Sequence, residues 1–197
     1  KKRAENYIRA QSKKGEINFI IIRPPYIYGE GNNLLREQFY FSRIESGQII
    51  LIPANTKTRI QFINIDDLCI FIGQCLRNSK AKNEIYNIAH PKIISWRTLV
   101  DFVMKACEKK TKIYEISSKI ESNARLYSPF RDEDMTLNIS KSIEHGFSSP
   151  EIDLKSGLIT TYTLFLNAVK NEGFGAFRDP KMTRLDEISA LISKHNE

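Results

Sequence analysis

The amino-acid sequence predicts an α/β fold, and three observations support this prediction. Segments with strand patterns and segments with helical patterns alternate along the chain, which is typical of this class. Residues 17–22 form an almost continuous run of apolar, mostly β-branched residues, as expected for a parallel strand that is buried on both faces. The 197 residues are 41% hydrophobic and 27% charged, so the chain can bury a core of ordinary size.

The first elements follow from local signals. Residues 1–13 lack Gly and Pro and favour a helix, which Gly15 is placed to end. The strand at 17–22 ends at the Arg-Pro-Pro sequence of residues 23–25, because proline cannot donate a ladder hydrogen bond. Residues 26–33 (YIYGEGNN) are rich in Gly and Asn, and this composition is typical of a loop.

The alternation continues through the remaining segments. Apolar residues at helical spacing predict further helices at residues 34–45, 96–107, 140–144, 153–170 and 184–194. Another predicted helix begins at Asp66 or Asp67 and ends at residue 76. Short apolar or alternating runs predict strands at 49–52, 59–65, 84–89 and 111–116. Ser95 is the expected N-cap of the helix that begins at Trp96. The irregular segment 117–135 contains Arg125, Tyr127 and Arg131 and is the best candidate for a ligand-facing loop.

The charge is concentrated at one place. The formal net charge is +7, from 30 basic and 23 acidic side chains. Residues 1–14 hold six of the basic residues and only one acidic residue, so the rest of the chain is nearly neutral. A basic helix of this kind can bind nucleic acid, but it can equally be a solvated helix face.

The cysteines and histidines indicate neither a disulfide framework nor a metal site. The three cysteines lack a Cys-x-x-Cys pair and fall on apolar helices, where we expect small buried side chains: Cys69, Cys75 and Cys107. The histidines have no metal-ligand spacing and are expected at the surface: His90, His145 and His195. The sequence also lacks a membrane-spanning apolar run and a signal-peptide pattern, so we expect a cytoplasmic protein without a metal.

Three stretches in a defined order carry a family resemblance. The first stretch combines KKRAE at residues 1–5 with RPPYIYG at 23–29, the second is FINIDDL at 62–68, and the third is YNIA at 86–89. In this order the sequence resembles the C-terminal half of the extended short-chain dehydrogenase/reductase family, the NAD-dependent epimerases and dehydratases. The resemblance covers about residues 1–165.

The resemblance implies a division of the chain. Residues 1–30 would be the end of a Rossmann-type NAD(P)-binding domain, residues 31–170 mainly a small α/β substrate-binding domain, and residues 171–197 a tail with a helix. The family's glycine-rich fingerprint is absent, since the Gly-x-Gly pairs at 29–31 and 173–175 do not lie between a strand and a helix. The family's catalytic Tyr would lie upstream of Lys1. We therefore expect a fragment of an oxidoreductase or isomerase that is inactive by itself.

The resemblance also implies a catalytic and cofactor-binding site. Lys1 matches the Lys of the family's Tyr-x-x-x-Lys pair, in which the cation lowers the pKa of the Tyr and holds the nicotinamide ribose of NAD or NADP. Pro24, Pro25 and Ile27 match the turn that lies against the nicotinamide ring. By their residue types alone, the two prolines would simply end a strand and rigidify a turn.

The substrate side departs from the family pattern. The resemblance implies Tyr26, Gln61 and Arg131 as substrate-binding residues, with Tyr26 in place of the usual Asn. One of the two arginines that bind the substrate diphosphate is replaced by Ile60, which cannot make a bidentate contact with phosphate. These departures weaken the expectation of ordinary nucleotide-sugar epimerase activity.

A narrower resemblance accounts for these departures. YIYG at 26–29, Gln61, SPFRD at 128–132 and GAFR at 175–178 are similar to the chloroplast stem-loop RNA-binding proteins and their bacterial relatives, atypical members of the same superfamily. The alternative function is therefore RNA binding or processing with the sugar site lost or repurposed. The implied partners are a nucleotide-sugar-like small molecule or RNA, without a membrane, and a homodimer formed through the helix at 1–14 is a further implication.

Overall fold

The computed structural model describes residues 1–32, 34–55, 57–172 and 180–194. Within these ranges the helices are α1 Lys2–Lys13, α2 Glu37–Glu45, α3 Ile65–Arg77, α4 Trp96–Cys107, α5 Ser140–Glu144, α6 Leu154–Glu172 and α7 Leu185–Lys194. The strands are β1 Ile20–Arg23, β2 Tyr26–Tyr28, β3 Ile50–Pro53, β4 Phe62–Asn64, β5 Glu84–Asn87 and β6 Ile113–Ile116. The predicted α/β class is confirmed.

All of the strand pairs in the described residues are parallel. They are β1 with β5, β2 with β4, and β3 with β6. Parallel neighbours require a crossover connection, and the chain between the paired strands β1 and β5 contains α2 and α3. Only Pro24 and Pro25 separate β1 from β2, so the chain passes directly from one pair to the next.

Two hydrophobic clusters form the core. The larger cluster joins β2 and β3 to α2, α4, α6 and α7, and it contains most of the buried aromatic side chains. The smaller cluster joins β1, β5 and α3 and includes Phe147. The proposed boundary at residue 30 stays a prediction, although α3 and β5 pack with β1 in the smaller cluster.

Two strand predictions near the start of the chain are wrong. The first strand begins at Ile20 rather than at residue 17, and its residues are half-buried or exposed rather than buried on both faces. Ile20 and Ile22 pack on the smaller cluster, whereas the alternation of a strand turns Ile21 to the opposite face. Residues 26–28 form β2 instead of a loop, because pairing with β4 outweighs their loop-like composition.

The start of α3 also differs from the prediction. Neither Asp66 nor Asp67 caps this helix, because the Asn64 side chain accepts a hydrogen bond from the Asp66 backbone N–H at 2.9 Å. Asp67 instead accepts from the backbone N–H of Ile152 at 2.9 Å, which ties α3 to the segment before α6. Cys69 is exposed on the outer face of α3, so its predicted burial is wrong, whereas the other two cysteines are buried.

The start of α4 is confirmed. The Ser95 hydroxyl accepts a hydrogen bond from the Thr98 backbone N–H at 3.2 Å. The apolar positions predicted at helical spacing are all buried: Trp96, Leu99, Val100, Val103, Ala106 and Cys107. Helix α4 therefore contributes side chains to the larger cluster and, through Trp96, supports the candidate site.

Candidate functional site

A cavity of about 780 Å³ opens beside Lys1, the start of α2 and the irregular segment 117–135. This volume falls within the usual range of small-molecule sites. Basic side chains outnumber acidic ones in its wall, which contains Lys1, Arg36, Arg125, Arg131 and Lys181 with Asp132 and Glu133. The cavity is therefore suited to an anionic ligand.

Aromatic side chains support the cavity from below. Tyr26 lies on β2 and meets Phe130 edge-to-face, with ring centroids 4.9 Å apart. Trp96 stacks on the same Phe130 ring at 5.0 Å. Burial raises the pKa of the Tyr26 hydroxyl, so this phenol stays protonated at neutral pH. The rings form a rigid support beneath the charged wall.

The segment that carries Arg131 is anchored on both sides. Before it, the hydroxyls of Tyr40 and Ser128 share a buried hydrogen bond of 3.3 Å. After it, the Asp132 carboxylate accepts from the Thr58 hydroxyl at 2.6 Å and from the Trp96 indole N–H at 3.4 Å. These bonds fix the backbone on each side of Arg131 without engaging its guanidinium.

Lys1 reaches the cavity because α1 is tied to β1. Lys1 is the N-cap residue of α1, and the helix has no buried residue of its own. The Arg23 side chain donates to the Glu5 carboxylate, with Nε 3.0 Å from Oε1. This hydrogen bond lowers the pKa of Glu5 and links the first turn of the helix to the end of β1.

The cavity thus brings together Lys1, Tyr26 and Arg131, which come from three separate parts of the sequence. The other predicted cofactor contacts do not line it. Pro24 and Pro25 are half-buried in the connection between β1 and β2. Ile27 points away from Tyr26 and packs against the smaller cluster. Their contact with a nicotinamide ring stays a prediction.

Gln61 lies outside the cavity wall. Its amide N–H donates to the backbone oxygen of His90 at 3.1 Å, and its amide oxygen accepts from the Leu137 backbone N–H at 2.7 Å. Gln61 is almost completely buried. The geometry assigns this side chain to the scaffold behind β4, because both ends of its amide are used by the backbone.

Sequence reasoning missed Arg36. This residue precedes α2, and its guanidinium carbon lies 4.9 Å from the centroid of the Tyr26 ring and 5.8 Å from that of Phe130. A basic residue directly before an apolar helix was the available signal. Its position over the aromatic rings depends on contacts between residues almost one hundred positions apart, which no local pattern contains.

The described histidines make structural hydrogen bonds. His145 Nδ1 lies 2.8 Å from the Tyr86 hydroxyl, and His90 Nδ1 accepts from the Lys92 backbone N–H at 3.2 Å. Both are half-buried, so each keeps part of its side chain at the surface. His195, the Gly-x-Gly pair at 173–175 and the GAFR sequence at 175–178 lie outside the described residues. In the described ranges, no three His, Cys, Asp or Glu side chains are grouped to hold a metal ion.

Residues 1–89 match the model of the NAD dependent epimerase/dehydratase family. This part of the chain is therefore similar to the epimerase/dehydratase family. The match contains Lys1, the β1–β2 connection with Tyr26, and the strand–helix unit of β4 and α3. The resemblance predicted from three short stretches is confirmed.

A second comparison concerns nearly the whole chain. Over 184 residues the chain is 30% identical to the chloroplast stem-loop binding protein of 41 kDa b from Arabidopsis thaliana. The alignment covers 90% of this chain and 46% of that protein. The narrower resemblance predicted from the sequence is confirmed as a similarity between the two proteins.

Solved structures of epimerase/dehydratase enzymes share the fold. A dTDP-glucose 4,6-dehydratase from Bacillus anthracis, in complex with NAD, matches with a TM-score of 0.70 and 16% identity over 89% of this chain and 52% of that chain. A UDP-glucose 4-epimerase from Thermotoga maritima, with UDP-glucose, matches with a TM-score of 0.66 and 16% identity over 86% and 52%. The chain thus spans about half the length of its relatives. Across its described residues, none of the helices combines the length and apolar character needed to span a bilayer.

Proposed function

We propose that this chain forms the substrate side of an NAD(P)-dependent epimerase/dehydratase that acts on a nucleotide-sugar-like molecule. The observation that carries this proposal is the convergence of Lys1, Tyr26 and Arg131 on one cationic cavity. A transient hydride transfer would classify the protein as an oxidoreductase or isomerase. The family match over residues 1–89 and the fold shared with sugar-nucleotide enzymes support this assignment.

The described residues fit one end of a nicotinamide cofactor. The Lys1 ammonium is exposed at the cavity, and the half-buried Pro24–Pro25 connection lies at the carboxyl end of β1, where open α/β folds bind their ligands. Bound NAD or NADP would supply the hydride acceptor. Lys1 would hold the ribose and keep the pKa of a neighbouring phenol low, while Pro24, Pro25 and Ile27 would orient the ring.

The substrate would be held by Arg131 and Tyr26. Arg131 carries a guanidinium at the cavity wall, and this group suits bidentate recognition of a phosphate. Tyr26 would contact the sugar as a neutral phenol, since burial raises its pKa. We include Gln61 only as a residue that holds β4 in place beneath the site.

Ligand binding by the 197-residue chain tests this function. Saturation-transfer NMR with UDP-glucose and dTDP-glucose should detect binding, and Arg131→Gln should weaken it about tenfold because a charge-assisted contact is lost. Arg77→Gln is the matched control, since Arg77 is exposed on α3 and does not line the cavity. The proposal fails if neither nucleotide sugar binds, or if Arg131→Gln and Arg77→Gln bind equally well.

RNA binding is the second candidate function. It is favoured by the 30% identity to a chloroplast stem-loop binding protein and by the exposed basic helix α1. A stem-loop RNA should bind with a steep salt dependence, and neutralising Lys2, Lys13 and Lys14 together should reduce the slope of log K against log salt by about 2. If fluorescence anisotropy detects no RNA binding at low ionic strength, this candidate is eliminated.

The organisation of the whole protein is also a proposal. We infer the domain division at residues 30 and 170, a homodimer formed through α1, and a reducing, cytoplasmic location consistent with three free cysteines. Tyr7 on α1 is 66% exposed, which supports its use in an interface. Charge reversal on α1 should shift the mass measured by size-exclusion chromatography with light scattering, and an unchanged mass would argue against the dimer.

A further inference from the structure

Helix α7 packs against the cavity wall, although it lies outside the residues that match the family model. The side chains of Met182, Leu185 and Ile188 are each only 1% exposed and belong to the larger cluster. Most residues that line the cavity come from the irregular segment 117–135, and Lys181, shortly before α7, lines it as well. The helix is therefore placed to influence the shape of the site.

Arg184, directly before α7, connects this helix to the irregular segment at two points. Its backbone N–H donates to the Leu126 carbonyl oxygen at 3.0 Å. Its guanidinium donates to the Glu121 carboxylate, with Nη1 3.1 Å from Oε2. The Glu121 side chain is 10% exposed, so solvent screens this ion pair less than a pair at the open surface. Glu187 in the first turn of α7 accepts from the same guanidinium at 3.1 Å, which restricts its position further.

From Glu121 a series of hydrogen bonds continues into the cavity wall. Its second carboxylate oxygen accepts from the Asn123 backbone N–H at 2.9 Å, and the Asn123 side-chain oxygen accepts from the Arg125 backbone N–H at 3.2 Å. The Arg125 guanidinium in turn donates to the Pro129 carbonyl oxygen. The last three residues of this series all line the cavity, so Arg184 is linked to the wall without lining it.

The irregular segment depends on such contacts because it has little regular structure of its own. Between residues 117 and 130, all of which are described, the only helical element is a 3₁₀ turn at Ala124–Leu126. Segments with few internal backbone hydrogen bonds open at a low free-energy cost unless other groups hold them. Arg184 holds this turn on both sides, because Glu121 precedes the turn and Leu126 ends it.

We propose that Arg184 and Glu121 are positioning residues for the ligand site, through which α7 keeps the cavity wall in its binding shape. This inference rests on the proposed function of the cavity as the ligand site. Neither side chain lines the cavity, so both act through the backbone of residues 123–126. Loss of this ion pair should loosen the wall and leave the fold intact, because the buried apolar side chains of α7 still hold the helix.

Amide hydrogen exchange in ¹⁵N-labelled protein tests the positioning without a ligand. Arg184→Gln should speed the exchange of the Asn123 and Arg125 amides by about tenfold, because the Glu121 carboxylate loses a charged partner. The amide of Val103, which is buried in α4, reports global unfolding and should change much less. Arg184→Lys should fall between Arg184→Gln and the unaltered chain, because lysine keeps the charge but loses the planar fork.

The affinity for UDP-glucose, measured by saturation-transfer NMR, reports the effect on the ligand site. Arg184→Gln should weaken binding by about threefold, because a loosened wall must be ordered again when the ligand binds. Glu121→Gln reaches the same ion pair from the wall side and should have the same effect, which covers the case in which Arg184→Gln does not fold. The double variant should be no worse than either single variant, since both remove one contact. Glu187→Gln is the matched control: it removes the other carboxylate on Arg184 and should bind like the unaltered chain.

The outcomes separate this inference from the function on which it rests. Unchanged exchange at Asn123 and Arg125 overturns the inference, and so does an equal increase at Val103, which would indicate a general loss of stability. If UDP-glucose binds to Arg184→Gln as tightly as to the unaltered chain, the inference fails and the nucleotide-sugar function stands. If the unaltered chain does not bind UDP-glucose, the nucleotide-sugar function fails, whereas faster exchange confined to the wall still supports its positioning by Arg184.

Discussion

Replacing Gly157 by Ala provides a direct test of how α6 packs on β2. Gly157 lies in α6, and a Cβ at this position would fall on the Tyr28 hydroxyl oxygen, with the ring carbons Cε2 and Cζ only 2.8 and 2.9 Å away. The Tyr28 ring cannot move away freely, because it is 2% exposed and packs edge-to-face on Phe62. The matched control is Gly73→Ala in α3, where the Cβ would meet only the flexible end of Arg77, at 3.4 Å.

The two substitutions should change the free energy of unfolding in opposite directions. Helix propensity alone favours Ala over Gly by about 1 kcal/mol, so Gly73→Ala should stabilise the protein by up to that amount. Overpacking a filled core costs about 1–3 kcal/mol, and the contacts at Gly157 are short enough to reach the upper part of this range. After the same propensity gain, Gly157→Ala should be about 2 kcal/mol less stable than the unaltered chain, and about 3 kcal/mol less stable than Gly73→Ala.

Urea unfolding followed by the fluorescence of Trp96 measures both free energies, since the chain contains a single tryptophan. Tyr28→Phe removes the oxygen that the new methyl group would meet, so the cost of Gly157→Ala should fall by about 1 kcal/mol in that background. If Gly157→Ala is as stable as Gly73→Ala, or if Tyr28→Phe gives no relief, the close packing of α6 on β2 is wrong.

Three further predictions concern the site support, the thiols and a helix cap. Asp132→Ala should lower the free energy of unfolding by about 1–3 kcal/mol, because the Thr58 hydroxyl and the Trp96 indole N–H lose their buried acceptor. Asp132→Asn keeps an acceptor oxygen, so it should lower the free energy of unfolding less in the same urea titration. In the native protein DTNB should modify the exposed Cys69 quickly but not Cys75 or Cys107. Burial raises the pKa of both buried thiols, that of Cys107 to about 12, so little of either is present as the reactive thiolate. Equal modification rates for the three cysteines would contradict their positions in the structure. Asp153 directly precedes α6 and caps it, because its carboxylate accepts hydrogen bonds from the Ser156 hydroxyl at 2.6 Å and from the Lys155 backbone N–H at 3.0 Å. The bond from Ser156 lowers the pKa of Asp153 in the folded state, so the stabilising contribution of Asp153 is complete above the unfolded pKa near 4 and disappears as the pH falls through the folded value. Asp153→Ala should therefore cost about 1 kcal/mol at pH 7 and less at pH 3, and a constant difference across this range would refute the capping role.

The candidate site could be predicted from the sequence only in part. Lys1, Tyr26 and Arg131 were found through motif positions, and they line one cavity. Gln61 was placed at the same site by the same reasoning, yet its amide is used by the backbone. Arg36 carried no motif, and its relevance depends on rings contributed by β2 and by the segment before residue 135.

Local sequence by itself determined the elements whose stabilising contacts are local. The Ser95 cap and the apolar stripe of α4 were predicted because a capping hydroxyl and helical spacing act within a few residues. The order of the short motifs likewise predicted the similarity of residues 1–89 to the epimerase/dehydratase family. The alternation of elements determined the α/β class.

Tertiary structure alone decided the features that depend on distant partners. Residues 26–28 became a strand because β4 offers a parallel ladder 36 positions later, from Tyr26 to Phe62. Asn64 took the capping role from the aspartates because it ends that same strand with its side chain directed at the first turn of α3. The physical reason is common to these cases and to Arg36: hydrogen bonds and ring contacts between segments far apart in the chain outweigh local propensity once the fold brings them together.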